Sequence, residues 1–260
     1  MSASLPMPGF PPKQGLYDPQ FEKDACGIGF VANIKGVRSH EIVRQGLEVL
    51  ANLTHRGAQG CDPYTGDGAG ILLQIPHEFF SRACADVGIR LPRVGEYGVG
   101  MLFLPQDHEA RCQCETLIEQ IINAEGQRLL GWRDVPLKES GIGEVARQTQ
   151  PAIRQVFIAR GVLDEGQFER KLYVIRRCIE NSIRDSAIRE KHVVYIPSFS
   201  CRTVVYKGLL LPSQLSAFYQ DLGDSSLSSA IAMVHSRFST NTFPAWHLAH
   251  PYRYTIHNGE

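Results

Sequence analysis

Between His55 and Gly70 the chain reads HRGAQGCDPYTGDGAG, with glycines at 57, 60, 66, 68 and 70. Glycine loses the most backbone freedom on folding, so neither a helix nor a regular strand persists through so many of them. The run reads as a shaped loop leading into the apolar strand ILLQI, residues 71–75. Upstream, SHEIVRQGLEVLANL (39–53) has helical apolar spacing and Ser39 as its N-cap. A loop hung between two regular elements is where binding and catalytic groups gather.

The rest of the chain fits an α+β reading. GIGFVANI (27–34) and YGVGMLFL (97–104) read as strands, as do LLGWRDV (129–135) and IRQVFIA (153–159). Helices are expected near 77–87, from about Glu109 to Ala124, and from Asp164 to Ser186. HVVYIPSFS followed at once by CRTVVYKG (192–208) reads as two adjacent antiparallel strands turning near Ser200, because β-branched and aromatic residues dominate both. SSAIAMVHSRFS (228–239) and YRYTIHNG (252–259) complete the strands. Mixed strands and helices with apparent hairpins point to layers containing at least one antiparallel sheet.

Composition narrows the function classes. Lys plus Arg and Asp plus Glu both total 27, so there is no basic excess to suggest a nucleic-acid partner, and a small or polar-neutral substrate fits better. No run approaches the roughly 18 apolar residues of a membrane span. Seven cysteines, scattered and odd in number, read as a reduced, cytoplasmic protein. Cys112 and Cys114 form a C-x-C, but no matching pair follows and its flanks read as a helix face. Residues 1–25, with prolines at 6, 8, 11, 12 and 19, lack the form of a signal peptide and read as an extended leader, with the fold beginning at Cys26.

Three places carry chemistry. Cys26 alone reads as a small packing group, since free cysteine is commonly buried. At the boundary between a removable leader and the first strand it acquires another meaning. Once freed at the chain start, its α-amine, with a reference pKa of about 7.7 to 8.0, can take the thiol proton. In HSRFSTNT (235–242), Arg237 offers the planar paired donors that suit an α-carboxylate, with neighbouring hydroxyls such as Thr240 adding donors. In HNGE (257–260) the Asn-Gly pair is first of all a turn signal. It also suits an oxyanion hole, formed by the Asn258 side-chain amide and the Gly259 N–H.

Together, CGIGF, HRGAQGCDPYTGDGAG and HSRFSTNTFPAWHLAHPYRYTIHNGE resemble the class II, N-terminal-nucleophile glutamine amidotransferases, and within them the amino-terminal part of the large subunit of glutamate synthases. The resemblance covers nearly all of the chain after the leader. It implies a four-layer αββα sandwich in which Cys26, freed by removal of propeptide 1–25, is both nucleophile and α-amine base. Arg237 then holds the glutamine α-carboxylate, Asn258 and Gly259 form the oxyanion hole, and Glu260 and Arg56 are further substrate-binding candidates. It also implies that the amidotransferase domain, here 26–260, is truncated at its C-terminal side, because the family continues past HNGE to an acidic residue that completes the amine site.

The implied reaction hydrolyses L-glutamine to L-glutamate and ammonia, the ammonia passing to a downstream synthase domain that aminates 2-oxoglutarate. FMN and an iron-sulfur cluster, and a small electron-donating subunit as partner, belong by the same resemblance to that missing part, with no cofactor in this segment. The electron donor stays open. Two alternatives stand beside this reading. One is another class II amidotransferase, against which the long 76–230 insert argues. The other is a metal-binding module built on His235, His247, His250 and His257, whose spacings do not fit one helix face.

Overall fold

Backbone pairing sorts the strands into two antiparallel sheets of four, most of whose positions are buried. The computed structural model describes residues 13–15, 18, 27–60, 62–239 and 242–252. In the first sheet, strands β1 (Ile28–Ala32), β8 (Ile231–Ser236), β2 (Ala69–Gln74) and β7 (Thr203–Gly208) lie in that order. In the second the order is β4 (Arg128–Asp134), β5 (Ala152–Ala159), β3 (Tyr97–Leu104) and β6 (Tyr195–Ser200).

Helix α1 (His40–Asn52) is capped as expected, the Ile42 N–H donating to Ser39 Oγ at 3.4 Å, and it buries Ile42, Val43, Gly46 and Leu50 at helical spacing. Ile42, Val43 and Leu50 join one core with Ile71, Ala232 and Val234 of the first sheet. The same core takes in Tyr97, Val99, Met101 and Phe103, so odd positions of β3 face it. Even positions turn the other way. Leu102 and Leu104, with Val156, Ile158 and Phe199, meet helices α3 (His108–Ala124) and α5 (Glu165–Asp185) in a second core. Helix α5 begins in a capping box between Asp164 and Gln167, and its buried Phe168, Leu172, Ile175, Ile179 and Ile183 form one apolar stripe.

The structure corrects the expected 192–208 hairpin. β6 pairs with β3 and β7 pairs with β2, so the two strands belong to different sheets and the chain turns between them at Cys201 and Arg202. The Glu169 carboxylate holds that corner by accepting from Ser200 Oγ and the Cys201 N–H, both at 2.8 Å. Residues 191–193 form a 3-10 turn rather than the start of a strand. Helix α2 (His77–Ala85) is shorter than expected, and a short helix α4 (Glu144–Gln148) falls where none was read. The proposed strand 252–259 lies outside the described residues except for its first position.

Antiparallel pairing decides where loops can meet. Because β8 runs against both β1 and β2, the start of β1, the end of β8 and the start of β2 share one end of the first sheet. The glycine-rich loop, Gly27 and Arg237 are delivered there together.

Candidate active site

Arg237 follows directly on β8 and is only 6% exposed. Its backbone is fixed on both sides: its N–H donates to the Gly68 carbonyl at 2.8 Å and its carbonyl accepts from the Ala58 N–H at 3.3 Å. The guanidinium is also held. Nη2 donates to Thr242 Oγ1 at 2.7 Å and Nη1 reaches the Asp67 carbonyl at 3.5 Å. A buried guanidinium oriented in this way suits planar, two-donor recognition of a carboxylate.

The glycine-rich loop wraps this arginine. Gly57 follows the 3-10 turn Leu53–Arg56, and a Cβ added there would lie 2.6 Å from Ser236 Oγ, so the backbone next to Arg56 is packed against the residue before Arg237. The Asp67 N–H donates to the Ala58 carbonyl at 3.1 Å, closing the loop on itself. At its tip, hydrogen bonds from the Tyr64 N–H and the Thr65 hydroxyl hold the Asp62 carboxyl below the usual carboxylate range. Asp67, 5% exposed, accepts the Ser239 N–H at 2.6 Å and thereby pins the turn that follows Arg237. Asp67 was not anticipated. The signal available in the sequence was an acid set between two glycines just before a strand.

Gly68 has φ +142°, a conformation that favours glycine, and a Cβ there would lie 2.9 Å from Cβ of Ala249. Gly70 was read as the end of the loop, but it lies inside β2, where a Cβ would be 2.3 Å from the His250 carbonyl oxygen. Residues 249–251 therefore lie on the backbone that opens β2. Behind them the buried Lys207 donates to the Ala249 carbonyl at 2.6 Å and the His247 carbonyl at 3.0 Å. Burial, with the charges of Arg176 and Arg237 behind it, pulls the Lys207 pKa well below the ordinary lysine value. Burial likewise lowers that of His247, helped by Lys207 and Arg237.

Of the residues expected to form the site, Arg56 and Arg237 are brought to the same end of the first sheet. Cys26, Thr240, Asn258, Gly259 and Glu260 lie outside the described residues. Gly27, covalently joined to Cys26, accepts the Ser236 N–H at 2.7 Å. Three buried cysteines make poor nucleophiles: burial pushes the thiols of Cys84 and Cys201 up to about 12 and that of Cys114 up to about 11, which leaves little thiolate near neutral pH. On α3, Cys112 is exposed and Cys114 is buried, as a helix face and not a metal pair would place them.

The histidine module finds no support. His235 and His250 stack with ring centroids 4.6 Å apart, His257 lies outside the described residues, and no metal-holding group of three ligands occurs among the described residues. A cavity of about 600 Å³ reaches Trp246 and His247 from the side of Gln106 and Gln150, but Arg56, Asp67 and Arg237 do not line it. The arginine site is a separate place. Among the described residues no helix is long and apolar enough to cross a membrane.

Residues 26–260 match the family of class II glutamine amidotransferases. The chain is 53% identical over 252 residues to the NADPH glutamate synthase large chain of Bacillus subtilis, covering 96% of this chain and 16% of that protein. It is 44% identical over 249 residues to the corresponding large chain of Azospirillum brasilense, covering 94% and 16%. To the NADH glutamate synthase of Saccharomyces cerevisiae it is 41% identical over 261 residues, covering 96% and 12%. This chain thus spans under a fifth of the length of these relatives. With its family matched from Cys26 to Glu260 and its arginine loop built as described, the chain belongs to the class II glutamine amidotransferases.

Proposed function

We propose that this chain is the glutaminase part of a glutamate synthase large chain, and that it hydrolyses L-glutamine to L-glutamate and ammonia. The observation that carries the reading is the convergence, at one end of the first sheet, of Gly27 beside Cys26, the Arg56–Ala58 turn, and Arg237. Two antiparallel sheets with helices packed on them are consistent with the four-layer αββα sandwich proposed for such a domain.

In the proposed reaction, removal of residues 1–25 leaves Cys26 with a free α-amine. That amine takes the thiol proton while Sγ attacks the side-chain amide carbon of glutamine. Arg237 holds the substrate α-carboxylate, with Arg56, Thr240 and Glu260 as further binding groups. Negative charge developing on the amide oxygen is met by the Asn258 amide and the Gly259 N–H. The protonated amine returns its proton to the departing ammonia, and water then hydrolyses the Cys26 thioester to release glutamate.

Among the described residues no group of three or more His, Cys, Asp or Glu could hold a metal ion, and the proposed reaction uses none. A synthase domain that uses the ammonia, and an electron-donating subunit, are proposed partners by likeness to the relatives. Five described free cysteines fit a reducing, cytoplasmic compartment. The test is to isolate the mature protein from its source, sequence its N-terminus and assay glutamine hydrolysis. Active enzyme beginning at Cys26 supports the mechanism; active enzyme that retains the leader removes it.

A further inference from the structure

Lys207 has no exposed surface and stands in β7 among buried Val204, Val205 and Tyr206. A buried ammonium needs its donors satisfied. All three donors of Lys207 have acceptors: the carbonyls of Ala249 and His247, and the Tyr195 hydroxyl at 3.4 Å. Its charge also lies over two rings, Tyr195 with the centroid at 4.6 Å and Tyr252 at 4.5 Å. Burial and the positive charges of Arg176 and Arg237 both disfavour its charged form.

What the ammonium grips is a segment that runs from the 3-10 turn Trp246–Leu248 into backbone outside any strand. Between His247 and Tyr252 the chain has no ladder partner, and two of its carbonyls, two residues apart, converge on one Nζ. On its other side this segment touches the site. Ala249 packs on Gly68, whose carbonyl receives the Arg237 N–H, and His250 and Pro251 pack on Gly70. Moving residues 249–251 would free the backbone on which Arg237 is anchored.

We propose that Lys207 is a positioning residue of the glutamine site: by gripping the His247 and Ala249 carbonyls it holds residues 247–251 down on Gly68 and Gly70 and so fixes Arg237. The inference rests on the reading of Arg237 as the carboxylate clamp.

The test uses the full chain with Lys207→Met, which keeps length and fills the space between the rings while removing all three donors. Backbone hydrogen exchange and steady-state glutamine hydrolysis are measured together. Exchange at residues 247–252 should quicken about tenfold or more while α5 and β3 keep their protection, and KM for glutamine should rise about tenfold. Tyr252→Leu, which removes one ring from the grip, is measured beside it and should shift both readings in the same direction; it carries the test if Lys207→Met does not fold. Exchange at 247–252 and KM both at wild-type values would overturn the proposal. So would uniform loss of protection in a variant whose folded fraction binds glutamine normally, since that is a structural role alone. Arg237→Lys runs in parallel. If it raises KM and the Lys207 and Tyr252 variants do not, this inference fails by itself; if it leaves KM unchanged, the site reading fails and takes this inference with it.

Discussion

The Gly27 carbonyl accepts the Ser236 N–H at 2.7 Å. That bond ties the residue after Cys26 to the residue before Arg237, and it continues a ladder in which Ile28 pairs with His235. Two sequence features more than two hundred residues apart are thereby neighbours across one strand pair. The same hydrogen bonds that build the sheet set Gly27 beside Ser236, the residues next to the proposed nucleophile and the proposed carboxylate clamp.

Cys26→Ala should abolish glutamine hydrolysis in the full chain while leaving glutamine binding within about threefold of wild type. The thiol takes part in bond formation and contributes little to ground-state binding. Isothermal titration with glutamine and an ammonia-release assay measure the two sides. Turnover that survives the substitution would assign the chemistry to another group.

Arg237→Lys should raise KM for glutamine about ten- to a hundredfold, because an ammonium cannot reproduce a planar grip and cannot span Thr242 Oγ1 and the Asp67 carbonyl together. Hydrogen bonds to charged groups contribute about 1.5 to 3 kcal/mol each, and about 1.4 kcal/mol is tenfold in affinity. A KM equal to that of the wild type would take Arg237 out of the site.

Gly70→Ala tests the packing of the segment over β2. The new Cβ would meet the His250 carbonyl oxygen at 2.3 Å and Pro251 at 3.0 Å, and the first of these is backbone that cannot swing aside. Forcing a methyl into a filled space costs about 1 to 3 kcal/mol, or roughly 2 to 4 °C in Tm per kcal/mol for a domain of this size. Calorimetry of the variant should show that loss together with a higher KM. An unchanged Tm would mean the segment does not lie where the structure puts it.

Helices α1 and α5 were legible because their apolar spacing and caps, Ser39 and Asp164, are local signals. The 192–208 hairpin was misread because two strands joined by a two-residue turn look alike whether they pair with each other or splay into separate sheets. That choice is made by distant partners, β3 and β2. Arg237 could be picked out as chemistry in the polar run HSRFSTNT, whereas Arg56 came only from the family resemblance. Asp67 and Lys207 could not be picked out, since an acid between glycines reads as turn chemistry and a lysine in TVVYKG reads as a strand edge. Their meaning comes from what the fold lays against them, the Ser239 N–H in one case and the His247 and Ala249 carbonyls in the other.

Asn258 lies outside the described residues, so its role rests on chemistry and is open to direct test. Its proposed task is to donate a hydrogen bond that strengthens as the substrate amide oxygen becomes an oxyanion. An interaction that belongs mainly to the transition state changes kcat more than KM. Removing one such donor costs about 10² to 10³ in kcat, so Asn258→Ala should fall in that range with KM nearly unchanged and Tm within about 2 °C of wild type. An ordinary Asn-Gly turn predicts the opposite pattern. Gly259 would still supply the permissive backbone, the loss would appear as a lower Tm, and the protein that stayed folded would turn over normally. Measuring kcat, KM and Tm on the same variant of the full chain separates the two, and a stable variant with wild-type kcat would remove Asn258 from the oxyanion hole.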